Sequence, residues 1–106
     1  MSRKLDLQLY LALNGYELKE IPEERYEDYM SEPHYSTDAE AMLELDREMH
    51  EKGYAGTIST YGGTNLACYA KRWETKELVH GETEPLARAL AAYKALTGKE
   101  YQDGNN

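Results

Sequence analysis

Asp46 and His50 stand four residues apart in a stretch of helical periodicity, so a carboxylate and an imidazole share one helix face. That pair could contribute to a metal site, but such a site takes three or four protein ligands, and only His34 and His80 remain to complete it. There is no His-Glu-x-x-His string. Cys68 lies in the middle of a stretch that reads as a strand, where a thiol is expected to be a buried apolar group rather than an exposed thiolate. Gly62-Gly63-Thr64-Asn65 could offer backbone amides to a phosphate, with Lys71 and Arg72 close behind in sequence. It lacks the six-residue spacing and the Lys of a phosphate-binding loop, so a tight turn is its simpler reading. The paired acids Glu23-Glu24 and Glu27-Asp28 sit in a dense charged cluster. Acid–base catalysis needs one carboxyl shielded from water, and such a cluster provides the reverse setting. No nucleophile–base or metal constellation emerges, and the sequence leads to a non-enzymatic binding protein with no cofactor.

The charge pattern says more. The chain has 106 residues, twenty acids against twelve bases and a net charge of −8. Residues 17–51 hold thirteen acids and three bases, a local charge of −10, while the remainder is +2. Binding to phosphate backbones relies on Lys and Arg, so direct nucleic-acid binding is not expected. A small basic patch at Lys71, Arg72 and Lys76 could still hold one anion. Ten Tyr and no Phe mean that nearly every ring carries a hydroxyl. Tyr16, Tyr26, Tyr29 and Tyr35 interleave with the acids, a composition suited to a contact surface. Glu23, Glu24, Tyr26, Glu27, Asp28 and Tyr29 form the candidate partner-binding set; Gly62, Gly63, Thr64, Lys71 and Arg72 form the candidate ligand-binding set. One Cys allows no intrachain disulfide, which suits a reducing cytoplasm. The longest apolar run, Leu9–Leu13, is too short for a signal peptide or a membrane span.

These side chains need elements to hold them. Residues 4–14 read as a helix with Leu5, Leu9, Ala12, Leu13 and Tyr16 on one face, closed by Gly15. Residues 19–35, with Pro22 and Pro33, read as a charged loop. Thr37-Asp38-Ala39-Glu40 reads as a capping box that opens a helix over 38–52, with Ala41, Met42, Leu45 and Met49 buried and Glu48–Lys52 as a helical ion pair. Stretches 54–61 and 66–73 read as strands joined by the Gly62–Asn65 turn, with a short third strand at Glu77–His80. Thr83, Glu84 and Pro85 open a last helix, its stripe Leu86, Leu90, Tyr93 and Leu96 and its ion pair Glu84–Arg88, ended by Gly98. Residues 101–106 read as a flexible tail. The whole is one α+β domain of 1–106 in which three helices cover a meander of two to three strands.

Two strings add a resemblance. Pro33-His34-Tyr35-Ser36-Thr37-Asp38, at the start of an amphipathic helix, and Glu82-Thr83-Glu84-Pro85-Leu86-Ala87, followed by an Ala-rich helix ending Tyr93-Lys94-Ala95-Leu96, resemble motifs of the phage ABA-sandwich domain family. The resemblance covers residues 4–98 and implies an α-β-α layered domain encoded by a phage or prophage, with no catalytic residues to carry over. Leu43-Glu44-Leu45 stands where that family carries a Trp. Combined with the charge pattern, it leads to a cytoplasmic protein whose acidic segment docks on a basic host protein, for instance to inhibit a defence factor. The alternative is a sponge for a nucleotide-type immune signal, held by the Gly62–Thr64 turn with Lys71 and Arg72 at an interface between copies of a homo-oligomer.

Overall fold

The computed structural model describes residues 3–15, 34–71, 74 and 77–101, with the side chains of Arg3 and Tyr61 excepted. Helix α1 spans Arg3–Leu13 and α2 spans Ala39–Glu51. Strands β1 (Tyr54–Tyr61), β2 (Thr64–Lys71) and β3 (Val79–Gly81) follow, then α3 (Glu84–Thr97). The three strands form an antiparallel sheet in the order β1-β2-β3. This is the expected α+β fold, a small meander packed against helices.

The turn between β1 and β2 is tighter than expected. Thr64 and Asn65 belong to β2 and pair with Tyr61 and Thr60, so only Gly62 and Gly63 turn the chain. Their φ values of 59° and 81° are those of a type I′ turn, whose twist matches that of the strands and which only residues tolerant of positive φ adopt cheaply. β2 consequently begins two residues earlier than its strand propensity suggested.

The register fixes the two faces of the sheet. Tyr54, Gly56, Ile58 and Thr60 lie opposite Lys71, Tyr69, Ala67 and Asn65, and Val79 lies opposite Ala67. Ile58, Ala67, Tyr69 and Val79 from this face join Leu5, Leu9, Leu13, Leu45, Met49 and the alanines of α3 in one core. α2 packs on β1, α3 packs on β2 and β3, and α1 packs on α3.

Three helix details differ from expectation. Asp38 rather than Thr37 caps α2, its Oδ1 accepting the Glu40 N–H at 3.2 Å. In α1, Leu7 and Leu11 are buried as well as Leu5, Leu9 and Leu13, and so are Asp6 and Gln8. The helix is therefore enclosed on more than the one face expected. Asp6 accepts the Ser36 N–H at 2.9 Å, which ties α1 to the approach to α2. In α3 the fully buried residues are Ala87, Ala89, Ala91 and Ala92, while Leu86, Leu90, Tyr93 and Leu96 are half-buried around them. Small side chains let the backbone of α3 approach its neighbours, and at Gly81 an added methyl would lie 2.6 Å from the Ala87 nitrogen. The α3 start follows expectation: Thr83 Oγ1 accepts the Leu86 N–H, and Arg88 Nε donates to Glu84 Oε2 at 2.9 Å.

Candidate protein-binding face

The candidate partner-binding residues Glu23, Glu24, Tyr26, Glu27, Asp28 and Tyr29 lie outside the described residues, and so does Arg72. The rest of the acidic segment is carried by α2 and its cap. Asp38, Glu40, Glu44 and Glu51 are exposed. Their positions follow from the helix itself: Ala41, Met42, Leu45 and Met49 take the core stripe, so residues at intervening spacings turn outward. Glu44 meets Arg47 at 3.7 Å, both well exposed, a contact of little energetic weight. Glu48 is half-buried, and its pKa is raised by that burial and by the charge of Glu44, with Lys52 acting in the opposite sense. Glu48 thus carries the field of a neighbouring carboxylate on top of its own partial burial.

Asp46 is the exception on this helix. Its Oδ1 accepts the Tyr69 hydroxyl and Arg88 Nη1, each at 2.9 Å, while Arg88 Nε holds Glu84. Gly56 makes room for this arrangement, since a methyl there would lie 2.7 Å from Tyr69 Cε1 and 2.9 Å from Asp46 Oδ1. The Arg88 side chain is only 15% exposed. Burial opposes its charge, but its bonds with Tyr69 and Glu84 outweigh this and raise its pKa. Burial first, and then the Asp46 carboxylate against the opposing pull of Arg88, pushes the Tyr69 hydroxyl well above the ordinary tyrosine range. The network joins α2, β2 and α3; it directs Asp46 toward the sheet rather than into a metal pair with His50, which is exposed. Among the described residues no three His, Cys, Asp or Glu side chains converge as a metal site would require.

The candidate ligand-binding residues are not brought together. Gly62, Gly63 and Thr64 form one end of the hairpin and Lys71 the other end of β2, about 24 Å away at the usual rise of a strand. Lys71 Nζ stands 5.3 Å above the Tyr54 ring instead. Cys68 is buried in mid-strand as its position suggested. Tyr35, counted with the contact surface on sequence grounds, is a core residue.

One hollow was not foreseen. A cavity of about 330 Å³ lies between β3 and α3, with Leu78, Val79 and Leu90 as its apolar wall and His80, Lys94 and Tyr101 at its rim. Lys94 Nζ is 4.0 Å from Glu77 Oε2 across it. Tyr101, read from sequence as tail, packs edge-on against Tyr93 with ring centroids 5.3 Å apart. No described helix is long and apolar enough to cross a membrane. Comparison with known protein families, characterised proteins and solved structures finds no match to the chain.

Proposed function

We propose that the protein is a non-enzymatic binding module that docks through the acidic surface of residues 38–51 on a basic surface of another protein. The observation that carries this reading is the outward presentation of Asp38, Glu40, Glu44 and Glu51 by a rigid, capped helix. Carboxylates carried on an already folded helix need no backbone ordering when a cationic surface arrives, and their summed field speeds encounter. Inhibition of a host factor by occupying its basic surface is one form such docking takes. Cytoplasmic residence and a phage origin belong to the same reading and rest on the single Cys and on the resemblance of Pro33–Asp38 and Glu82–Ala87. The nucleotide-sponge alternative gains no support from the placement of Gly62–Thr64 and Lys71 at opposite ends of β2.

The test is a capture experiment from host lysate with the wild-type chain and with the triple variant Glu40→Lys, Glu44→Lys, Glu51→Lys. A protein retained at about 0.1 M salt, released toward 1 M as the screening length falls to about 3 Å, and absent from the variant supports the proposal. Retention of nothing, or retention indifferent to both salt and charge reversal, removes it.

A further inference from the structure

The two edges of the sheet differ in kind. β3 is three residues long, carries exposed His80, and is held against α3 at Gly81. β1 is eight residues long, pairs with β2 without a bulge, and contains no charged residue and no Pro, in a chain of which 30% is charged. Among the described residues it has β2 on one side and no strand on the other. Monomeric proteins guard such edges with Lys, Pro, bulges, brevity or a covering segment, and among the described residues no such guard lies on β1.

The hairpin determines what this edge offers. Tyr61 and Thr64 flank a two-residue turn and therefore exchange both backbone hydrogen bonds; by alternation Ser59, Thr57 and Ala55 also face β2. Tyr54, Gly56, Ile58 and Thr60 are left with their N–H and C=O groups turned to the open side. Lys71 shows the same alternation, since its N–H turns away from β1 and donates to Glu74 Oε1 at 3.0 Å. Gly56 is exposed, and having no side chain it exposes its backbone. Above this edge lies α2, with Asp46 over Gly56. Stepping round the helix at about 100° per residue, Ala39, His50 and Leu43 follow Asp46 on the flank turned away from Leu45 and Met49. All three are exposed, Leu43 to 63%, and none is a carboxylate.

We propose that two copies of the chain pair through their β1 edges, antiparallel about a two-fold axis, so that the two three-stranded sheets become one. A second copy fits because this edge is self-complementary under a two-fold. One register uses all four outward residues: Gly56 against Ile58 and Tyr54 against Thr60 of the other copy. It sets the two Thr57 side chains side by side on the face away from the helices, a favourable cross-strand pair. No charge lies on either strand, so the −8 of each chain stays off the axis. The strip is about 27 Å long and α2 adds about 10 Å of height. With side chains on both faces it offers about 400–500 Å² per copy, about 800–1,000 Å² in all, the small end of specific interfaces, where association is weak and concentration-dependent. The Leu43 flanks then meet across the axis, and the two acidic surfaces of α2 lie on the same side of the pair.

Gel filtration with light scattering over about 10–500 µM is expected to give twice the 12.2 kDa chain mass. Thr57→Lys places two cations on the axis and is expected to return the mass to 12.2 kDa with unchanged circular dichroism. A thiol at this position gives a second readout. Cys68 is the β2 partner of Thr57, so the background is Cys68→Ala. In it, Thr57→Cys is expected to form an interchain disulfide under mild oxidation, because Cα atoms in such a pair lie about 4.5 Å apart. Ser59→Cys, opposite Ala55 of the other copy, is not. A wild-type chain of single mass throughout, a dimer that Thr57→Lys leaves intact, or cross-linking of Ser59→Cys in preference to Thr57→Cys overturns the proposal. If Thr57→Lys does not fold, the cysteine pair decides.

Discussion

Asp46 shows how far a residue's type is from its role. Its spacing from His50 places it on the polar face of α2, where sequence alone reads a solvated side chain; in the fold its one oxygen accepts from both Tyr69 and Arg88. Asp46→Ala leaves a mostly buried guanidinium with Glu84 alone and the Tyr69 hydroxyl without its acceptor. The expected loss is about 1–3 kcal/mol in urea denaturation, with partial recovery in Asp46→Asn, whose carbonyl still accepts from Tyr69. Glu48 behaves in the opposite sense. Burial, then Glu44, raises its pKa, while Lys52 and Arg47 lower it less than the others raise it. A carboxyl whose folded pKa exceeds its unfolded value favours folding when protonated, and that contribution is lost as pH rises through the glutamate range. Glu48→Gln is therefore expected to raise the unfolding midpoint at pH 7. The gain should shrink as pH falls through the glutamate range and vanish below it, where the wild-type side chain is protonated in both states.

At the scale of elements, α3 is held by its alanines and not by the leucines that its periodicity selects. Ala87, Ala89, Ala91 and Ala92 are buried where the helix touches α1 and the sheet, and the leucines fill the margins. Ala89→Leu should cost about 1–3 kcal/mol by overpacking. Leu90→Ala, which a fully buried stripe would put at about 2–5 kcal/mol, should cost only about 1–2 because that side chain is already partly exposed at the core's margin. Thermal melts of the two variants rank them, and a larger loss for Leu90→Ala would contradict the packing described. α1 carries the same lesson. Leucines at 5, 9 and 13 mark one stripe, but Leu7 and Leu11 are buried too. A stripe analysis assigns Asp6 to solvent because it cannot register the Ser36 N–H that donates to its carboxylate from thirty residues away.

For the molecule as a whole, pairing through β1 makes stability depend on protein concentration, since mass action favours the folded dimer. The midpoint of a thermal melt should rise between about 10 and 500 µM for the wild-type chain and stay constant for Thr57→Lys. The dimer and the acidic docking surface are separable: charge reversal on α2 leaves the β1 edge intact, and Thr57→Lys leaves Glu40, Glu44 and Glu51 in place. Element type, element order, the helix stops at Gly15, Gly53 and Gly98, the burial of Cys68 and the α+β class were legible in the sequence, because they depend on local terms such as periodicity, caps and turn chemistry. The acidity of α2 and its outward turn were legible for the same reason, as they follow from where its apolar residues fall. The partners of Asp46, the enclosure of α1, the separation of Thr64 from Lys71 and the open flank of β1 were decided by tertiary structure alone. Each depends on which distant segments meet and in what register, and a strand's register or a helix's second neighbour leaves no periodic trace in the chain that carries it.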